Sequence, residues 1–406
     1  MENRILGIDF SDAGTILSFY GEDKSWNFPT FICRIKGRKE WLLGEEAYEK
    51  VLQGDGILTD KLLSLVQKGG SATLYSIKYT ADQLLTEFFK ALLEKISAGN
   101  YPTDVVVSIP QVERKVMASI RTAWISLGYP LNRIHVISRS ESFIYYVMSQ
   151  NQELRNNNVA LFSLEDNDLT YYELKPQRKA KSLQVIAEKE KMDESFNLDI
   201  IRQDAGAKLA DKILLSCAER VLKNKVFSAV LLTGNGFRTY EWAENFMKFI
   251  CNRRKVFIDD LVFSNGATYR GVDFASDKPV FNFTPICDGR LECSIFVDIM
   301  KDGRIVSYPL VSAGEAWFDA DRSLSMIADQ QDTLELNIIP MDGRKRKNIR
   351  LSLDFLPKRP PKTTRFSLNL SFLDDATLHI DVHDEGFGEL FPATDRHSEQ
   401  EVRLWD

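Results

Sequence analysis

The sequence predicts a duplicated α/β unit followed by an all-β module, on three observations. First, an apolar strand, a polar turn and a second apolar strand span residues 5–20 and recur with the same layout over residues 159–174. Second, each copy precedes a stretch in which predicted strands alternate with predicted helices. Third, after Gly271 short strands alternate with turn signals. We therefore predict two α/β lobes facing a cleft, followed by a β-sandwich.

The first lobe, residues 1–150, contains a clear helical pattern. Apolar residues recur at helical spacing over residues 79–96, where Thr80 and Gln83 have the spacing of a capping box. An apolar strand at 105–109, a helix that ends at Gly128 and a short strand at 135–137 follow. This strand–helix–strand order predicts a crossover unit.

The second lobe, residues 151–275, is predicted to contain a buried strand at 229–232 between two helices, at 209–222 and 242–251. The sandwich is expected over residues 280–393, and the polar segment 394–406 as a frayed tail. The turn signals of the sandwich are Asp288-Gly289, Asp302-Gly303, Asp342-Gly343 and Asp374-Asp375.

Composition excludes several classes of function. The 406 residues carry a net charge of -6, so no general basic field favours nucleic-acid binding. The five cysteines are scattered without a C-x-x-C pair, which is typical of reduced thiols. No run of eighteen apolar residues occurs, and no signal peptide is recognisable. We expect a cytoplasmic protein with neither nucleic-acid nor membrane partners.

Several motifs match one family in order and spacing. ILGIDFSDAGT at residues 5–15 resembles the first phosphate-binding hairpin of 70-kDa heat-shock chaperones, and residues 158–174 lie where their second hairpin belongs. AVLLTGNGFR at 229–238 lies at the position of their adenosine-binding motif. FLPKRPPKTTRFSLNLSFLDDATLHIDVHDEGFGE, from residue 355, resembles their substrate-binding sandwich. The resemblance implies an actin-like (ribonuclease-H-like, duplicated) ATPase fold, with ATP or ADP and Mg²⁺ as possible ligands and a peptide or protein partner for the sandwich.

The chain departs from that family in two large ways. Only residues 175–228 separate the second hairpin from the adenosine-type strand, which is too short for the family's nucleotide-clamping subdomain. We expect a reduced second lobe in which that subdomain is deleted or shrunk to the helix at 209–222. The family's helical lid is also not expected after the sandwich.

The phosphate-binding turns have lost their chemistry. In such ATPases, glycine-exposed backbone N–H groups cradle phosphate and carboxylates hold Mg²⁺ through water. Asp9 keeps the carboxylate position that would face Mg²⁺, but Ser11-Asp12-Ala13 replaces Gly-Thr-Thr, so Asp12 is expected to face a phosphate. The second turn, Ser163 to Asp168, has no glycine and three acids, each repelling a phosphate by roughly 1 to 4 kcal/mol. Asn167 and Asp168 are expected to close that hairpin, because both tolerate left-handed conformations.

Other candidate nucleotide contacts come from two further segments. In the connecting segment, Arg139 replaces the family's coupling glutamate and Ser140 its switch proline. Lys61 aligns with the catalytic lysine of the family or is an ordinary surface lysine of a helix. The adenosine-type contacts would be Gly234, Asn235, Gly236 and Arg238, although a strand entering a helix favours glycine at such a turn without any ligand.

A separate pair of histidines lies in the sandwich. His379 and His383 fall on one face of a predicted strand with Asp381 between them, so a metal pair is geometrically possible. Leu378, Ile380 and Val382 fill the other face, which favours a plain solvent-facing role for the histidines. We therefore predict no metal site, apart from Mg²⁺ at Asp9 if nucleotide binds.

The sequence thus predicts a chaperone-like protein-binding or scaffold protein with a pseudo-ATPase domain, rather than an enzyme. One alternative is a divergent, active ATP-dependent chaperone that uses Asp9, Lys61 and Gly234. Another is an actin-like filament-forming protein.

Overall fold

The computed structural model describes residues 4–97, 99–178, 183–201, 204–341 and 344–405. The chain divides into two compact units, residues 1–285 and 286–406, whereas the sequence predicted boundaries at 275 and 280. The difference has a physical cause. The Phe281 and Phe283 rings lie 5.4 and 5.0 Å from the Tyr145 ring, and the backbone N–H groups of Val280 and Phe281 donate to Asp273. These contacts anchor the segment after residue 275 in the first unit.

The first unit mixes strands and helices along the chain. Its strands are β1 (Ile5–Phe10), β2 (Thr15–Phe19), β3 (Ser25–Phe28), β4 (Phe31–Ile35), β5 (Trp41–Leu42), β6 (Gly56–Asp60), β7 (Ser71–Leu74), β8 (Ile77–Thr80), β9 (Asp104–Ile109), β10 (Ile134–Ser138), β11 (Asn158–Glu165), β12 (Asp168–Arg178), β13 (Leu183–Ser195), β14 (Phe227–Thr233) and β15 (Lys255–Ile258), and β16 (Thr284–Ile286) spans the boundary at residue 285. Its helices are α1 (Gly44–Leu52), α2 (Leu62–Lys68), α3 (Ala81–Ser97), α4 (Arg114–Ser126), α5 (Arg139–Ser149), α6 (Leu198–Ile201), α7 (Asp204–Leu222), α8 (Glu244–Ile250) and α9 (Val262–Ala275).

Two of its sheets share one layout. In the first, β1 pairs antiparallel with β2 and parallel with β9, in the order β10-β9-β1-β2-β3. In the second, β11 pairs antiparallel with β12 and parallel with β14, and the order includes β15-β14-β11-β12-β13. All residues of β1 and β9 are buried, as parallel strands covered on both faces should be. This shared layout brings the turns of the two hairpins, β1–β2 and β11–β12, to one cavity.

The predicted helix over residues 79–96 is confirmed as α3, including its start. The backbone N–H of Gln83 donates to Thr80 Oγ1 at 3.3 Å, and the backbone N–H of Thr80 donates to Gln83 Oε1 at 2.9 Å. This reciprocal pair is a capping box, which satisfies two backbone N–H groups at the helix start.

The second hairpin closes differently from the prediction. Glu165 pairs with Asp168, so the turn consists of Asp166 and Asn167, and the left-handed residue is Asp166, with φ 52°. The prediction that Asn167 and Asp168 close the turn was therefore wrong by one position. Asn167 instead accepts the backbone N–H of Phe196 at 2.9 Å through its carbonyl, which supports the turn from β13.

The second unit contains two four-stranded antiparallel sheets. Its strands are β17 (Cys293–Lys301), β18 (Arg304–Val311), β19 (Arg322–Ala328), β20 (Thr333–Pro340), β21 (Lys347–Ser352), β22 (Thr364–Phe372), β23 (Thr377–Asp384) and β24 (His397–Arg403). The sheet orders are β18-β17-β20-β21 and β19-β22-β23-β24. The turn at Asp302-Gly303 is confirmed between β17 and β18, with φ 51° and 73°. The predicted turn at Asp342-Gly343 lies outside the described residues.

The predicted frayed tail over residues 394–406 is wrong for its described part, because β24 pairs with β23 along its length. Its burial alternates between exposed and half-buried residues, so the sequence reads as polar although the segment is a strand. Leu404, directly after β24, is only 2% exposed. An edge strand with one solvated face has too few apolar residues to stand out in a sequence.

Across the described residues, no helix is both long enough and apolar enough to cross a membrane.

Candidate functional site

A cavity of about 390 Å³ lies where the turns of the two hairpins meet in the first unit. Ser11 and Asp12 line it from the first turn, and Glu165 and Asp166 line it from the second. Arg139 lines it as well, from the first position of α5. The sequence therefore identified much of the lining of this cleft, but the partners of these residues change what the cleft can bind.

Arg139 joins the two hairpins through an ion triad in which Arg139 and Asp9 are buried and Glu165 is half-buried. Its Nε and Nη2 donate to the two carboxylate oxygens of Asp9 at 2.7 and 2.9 Å, and its Nη1 donates to Glu165 Oε2 at 2.9 Å. The guanidinium carbon also lies 4.8 Å from the centre of the Phe263 ring. Such planar, two-pronged pairing is specific to arginine. Asp9 is only 3% exposed and is not among the described residues that line the cavity, so Arg139 shields it.

The local sequence explains where Arg139 sits. Ser138 ends β10 and caps α5, because its Oγ accepts the backbone N–H of Glu141 at 3.1 Å. Glu141 in turn pairs with Arg270 Nε at 2.8 Å. Ser138 and Glu141 therefore both fix the start of α5. Arg139, the first residue of this helix, is held with its side chain between Asp9 and Glu165.

The pKa values of Asp9 and Arg139 are shifted from their ordinary values. Burial raises the pKa of Asp9 to about 6 even with Arg139 beside it, and the negative charge of Glu165 acts in the same direction. Burial alone would lower the pKa of the Arg139 guanidinium, but the carboxylates of Asp9 and Glu165 raise it well above its ordinary value. Arg139 is thus a permanent cation between two carboxylates.

Asp12 lines the cavity, but both of its carboxylate oxygens accept hydrogen bonds from α2. Its Oδ1 accepts the backbone N–H of Leu63 at 2.9 Å, and its Oδ2 accepts the backbone N–H of Ser64 at 3.1 Å. The Ser64 hydroxyl also donates to Asp12 Oδ2. These are the unsatisfied N–H groups of the first turn of α2. Asp12 therefore caps α2 from a distant position in the sequence, a role that its local sequence does not reveal.

Each acid of the second turn also has an internal partner. The three pairs are Glu165 with Arg139 at 2.9 Å, Asp166 with Asn235 at 2.9 Å, and Asp168 with Lys191 at 2.9 Å. The repulsion expected from three unpaired acids is consequently reduced inside the protein. The same pairs occupy carboxylate oxygens that could otherwise bind a metal ion.

The adenosine-type turn packs against the second hairpin. Gly234 has φ 96°, and a Cβ there would overlap the carbonyl oxygen of Leu164, while a Cβ on Gly236 would overlap the Leu164 side chain. Both glycines are therefore required by a close approach within the fold. Arg238 pairs with Asp260 at 3.2 Å. Among the described residues that line the cavity, none comes from this turn.

Two lysines in the cleft were missed, and one predicted lysine lies elsewhere. Lys189 and Lys191 of β13 line the cavity, and Lys189 Nζ donates to the carbonyl of Pro110 at 2.8 Å. Their sequence, alternating with glutamates, reads as an ordinary solvent-facing strand. Lys61 is exposed directly before α2 with φ 51°, and it is not among the described residues that line the cavity.

The two sandwich histidines noted in the sequence, His379 and His383, have different polar partners. His379 Nδ1 lies 3.4 Å from Ser371 Oγ, whereas His383 Nε2 lies 2.6 Å from Asp381 Oδ2. Within the described residues, no three His, Cys, Asp or Glu side chains are arranged to hold a metal ion together.

The fold and cleft define a protein with an α/β unit built on two hairpins and a second, all-β unit. A family model described as "Family of unknown function (DUF5716) C-terminal" matches residues 14–288, and the chain belongs to this family. A second model, "Domain of unknown function (DUF8552)", matches residues 290–404. No curated protein matches the sequence.

Proposed function

We propose that the chain is a chaperone-like protein-binding or scaffold protein whose actin-like first unit is a pseudo-ATPase. In this proposal the second unit is a sandwich that contacts a protein partner, and the protein acts in the cytoplasm, where its five free cysteines stay reduced. The resemblance to 70-kDa heat-shock chaperones supports the chaperone-like class of protein. The contacts within the cleft support the loss of ATPase activity.

One observation carries the pseudo-ATPase part: the guanidinium of Arg139 occupies the space between Asp9 and Glu165. Mg²⁺ needs oxygen ligands in a nearly octahedral arrangement and retains several waters. Both oxygens of Asp9 are already bound by Arg139 at 2.7 and 2.9 Å. Binding a metal at Asp9 would require Arg139 to leave, and breaking a buried ion pair costs about 3 to 5 kcal/mol.

The turns that should cradle phosphate add a second argument. The only glycine of the first turn, Gly14, accepts the backbone N–H of Ser11 at 3.1 Å through its carbonyl. The second turn presents Asp166, whose backbone N–H already donates to Asn235 at 2.9 Å. Backbone N–H groups that are bonded within the protein are not available to phosphate oxygens. This favours a first unit that keeps its fold without binding nucleotide.

Calorimetry with ATP and Mg²⁺, combined with a phosphate-release assay, tests this part. We expect neither micromolar binding nor steady phosphate release. Micromolar binding or steady turnover would sink the pseudo-ATPase proposal and favour a divergent active chaperone, especially if Asp9→Ala abolished the turnover. For the filament alternative, sedimentation that gives only monomer with and without nucleotide would remove it.

The protein-binding part rests on an exposed apolar arm in the second unit, defined as residues 298–307. Here β17 and β18 pair with each other, starting at the Lys301–Arg304 pair beside the turn. However, β17 pairs with β20 only from Cys293 to Val297, so the arm has only two strands. A two-stranded ribbon is marginal in water without cover. Met300 and Ile305, which face each other across it, are 68% and 74% exposed.

The chemistry of the arm favours an extended protein segment as the occupant. Strand β18 lies at the edge of its sheet, so its outer backbone groups can pair with an added strand. Val306 and Tyr308 are also exposed, so both faces of β18 offer apolar contacts. Lys301 and Arg304 face each other at the tip, but Asp298 and Asp302 of the same arm balance their charge. We infer that the arm binds extended segments that present alternating apolar residues.

A peptide array tests this part of the proposal. We expect the wild type to select extended peptides with alternating apolar residues, and a Met300→Ser, Ile305→Ser variant to lose that binding at least tenfold. Leu390→Ser is the matched control, since Leu390 is 87% exposed in the same unit but outside the arm. Equal binding by both variants, or no peptide selection by the wild type, would rule out the arm as the docking surface.

A further inference from the structure

Three of the four histidines of the chain lie on one face of two neighbouring strands, β23 and β24. His383 on β23 is directly opposite His397 on β24. Their rings are stacked, with centroids 5.2 Å apart and an angle of 18° between planes. His397 lies in the segment that the sequence suggested was a tail, so only the pairing of β24 brings the two imidazoles together.

Each ring of this pair has one nitrogen held by an acceptor. His383 Nε2 lies 2.6 Å from Asp381 Oδ2, and that carboxylate is itself held by Asn369 Nδ2 at 3.3 Å. His397 Nδ1 lies 3.2 Å from the backbone carbonyl oxygen of Asp395. A carboxylate and a carbonyl only accept hydrogen bonds, so these two nitrogens carry the protons of the neutral rings. The lone pairs are therefore on His383 Nδ1 and His397 Nε2.

This arrangement is the one that metal-binding histidines use. A ligating imidazole donates its other N–H to a carboxylate or a backbone carbonyl, which fixes the tautomer and increases the basicity of the ligating nitrogen. We propose that His383 and His397 form a two-histidine binding site for a divalent transition-metal ion of the zinc or nickel class. Imidazole suits these ions, and water fills their remaining coordination positions.

The geometry of the pair is compatible with such a site. Two nitrogens on one tetrahedral Zn²⁺ lie about 3.3 Å apart, from Zn–N distances of about 2.0 to 2.1 Å. Rings whose centroids are 5.2 Å apart reach that spacing when they tilt toward each other. His383 is 46% exposed and His397 is exposed, so solvent gives the ion access to both rings. With two protein ligands, the site agrees with the lack of any three-residue metal group among the described residues.

His379 provides a matched control on the same strand and face. It is opposite Glu401 rather than another histidine, and its Nδ1 lies 3.4 Å from Ser371 Oγ. Removing it changes the number of surface histidines in the same way as removing His383, but leaves the stacked pair intact.

The test is calorimetric titration of the full chain, without a polyhistidine tag, with ZnCl₂ and separately with NiCl₂. We expect one ion per chain for the wild type, at least tenfold weaker binding for His383→Ala and for His397→Ala, and unchanged binding for His379→Ala. Asp381→Ala should weaken binding about 10-fold to 100-fold, because it removes the acceptor that orients His383. Circular dichroism and the Tm of each variant verify that the sandwich is folded.

The proposal fails if the wild type binds neither ion, if His383→Ala binds as tightly as the wild type, or if His379→Ala weakens binding as much as the other two variants. The last result would indicate general surface adsorption to histidines.

Discussion

Asp166 and Asn235 hold each other through two reciprocal hydrogen bonds. The backbone N–H of Asp166 donates to Asn235 Oδ1 at 2.9 Å, and Asn235 Nδ2 donates to Asp166 Oδ1 at 2.9 Å. The sequence assigned Asp166 to a phosphate-type turn that would repel a phosphate, and Asn235 to an adenosine-type turn that would contact a nucleotide. In the structure they contact each other, so both turns serve the packing of the second hairpin.

Gly234→Ala should destabilise the first unit through this packing, in the absence of any nucleotide. A Cβ at Gly234 would overlap the carbonyl oxygen of Leu164, and its φ of 96° is unfavourable for alanine. We expect a loss in free energy of unfolding of about 2 to 4 kcal/mol, measured by urea denaturation.

Gly128→Ala is the control for that variant. Gly128 has nearly the same φ, 95°, but nothing lies within 4 Å of its Cβ position. Gly128→Ala should lower the free energy of unfolding only by the cost of a left-handed alanine, about 1 to 2 kcal/mol. Equal losses for the two variants would contradict the close approach of Gly234 to Leu164.

Arg139→Met should be among the most destabilising single changes at the cleft. It removes the charge but keeps much of the side-chain volume, which leaves Asp9 buried without its partner. We expect the free energy of unfolding to fall by about 3 to 5 kcal/mol at neutral pH. Arg238→Met is the control, because Arg238 pairs with Asp260 on the surface. This change should lower the free energy of unfolding by less than about 1 kcal/mol.

A double variant separates the ion pair from other effects. Combining Arg139→Met with Asp9→Asn removes both buried charges, so it should be more stable than Arg139→Met alone. If the double variant lost the sum of the two single losses, the coupling between Arg139 and Asp9 would be refuted.

The sequence predicted local features well because their causes are local. The capping box of Thr80 and Gln83 and the turn at Asp302-Gly303 depend on residues within four positions of each other, and both occur as predicted. The role of Asp12 depends on Leu63, fifty-one positions away, and no local pattern carries that information. For the same reason, the sequence identified part of the lining of the cleft but missed Lys189, Lys191 and the pairs that fill it.

Asp9 should make the stability of the protein depend on pH. Its pKa is raised to about 6 in the folded state from an ordinary value of 3.8, so the folded protein holds this proton more tightly than the unfolded chain. The stabilisation is complete below about pH 4 and is lost as the pH rises to about 6. Relative to Asp9→Asn, the free energy of unfolding of the wild type should fall by up to about 3 kcal/mol over this range. A flat or rising difference in urea denaturation at matched pH values would contradict the raised pKa.

Asp12→Ala should destabilise the protein by about 1 to 2 kcal/mol, because the first-turn N–H groups of α2 lose their acceptor. Asp12→Asn keeps one oxygen that can accept from Leu63, but its amide nitrogen cannot accept from Ser64, so it should lose an intermediate amount, about 0.5 to 1 kcal/mol. Thermal unfolding of the two variants measures the difference. If Asp12→Ala were as stable as the wild type, the capping role of Asp12 would be refuted.

Leu404→Ala tests whether the end of the chain is part of the second unit. Leu404 is 2% exposed directly after β24, and its backbone N–H donates to the carbonyl of Ala376 at 2.7 Å. A leucine in a frayed tail could be shortened without effect, whereas a buried leucine shortened to alanine costs about 2 to 5 kcal/mol. Leu390→Ala is the control, since Leu390 is 87% exposed in the same unit and should change the free energy of unfolding by less than about 0.5 kcal/mol.

Because β24 carries His397, a Leu404→Ala variant that loosens this strand should also weaken metal binding by the histidine pair. A Leu404→Ala variant as stable as Leu390→Ala would support the prediction of a frayed tail. It would also contradict the pairing of His397 with His383.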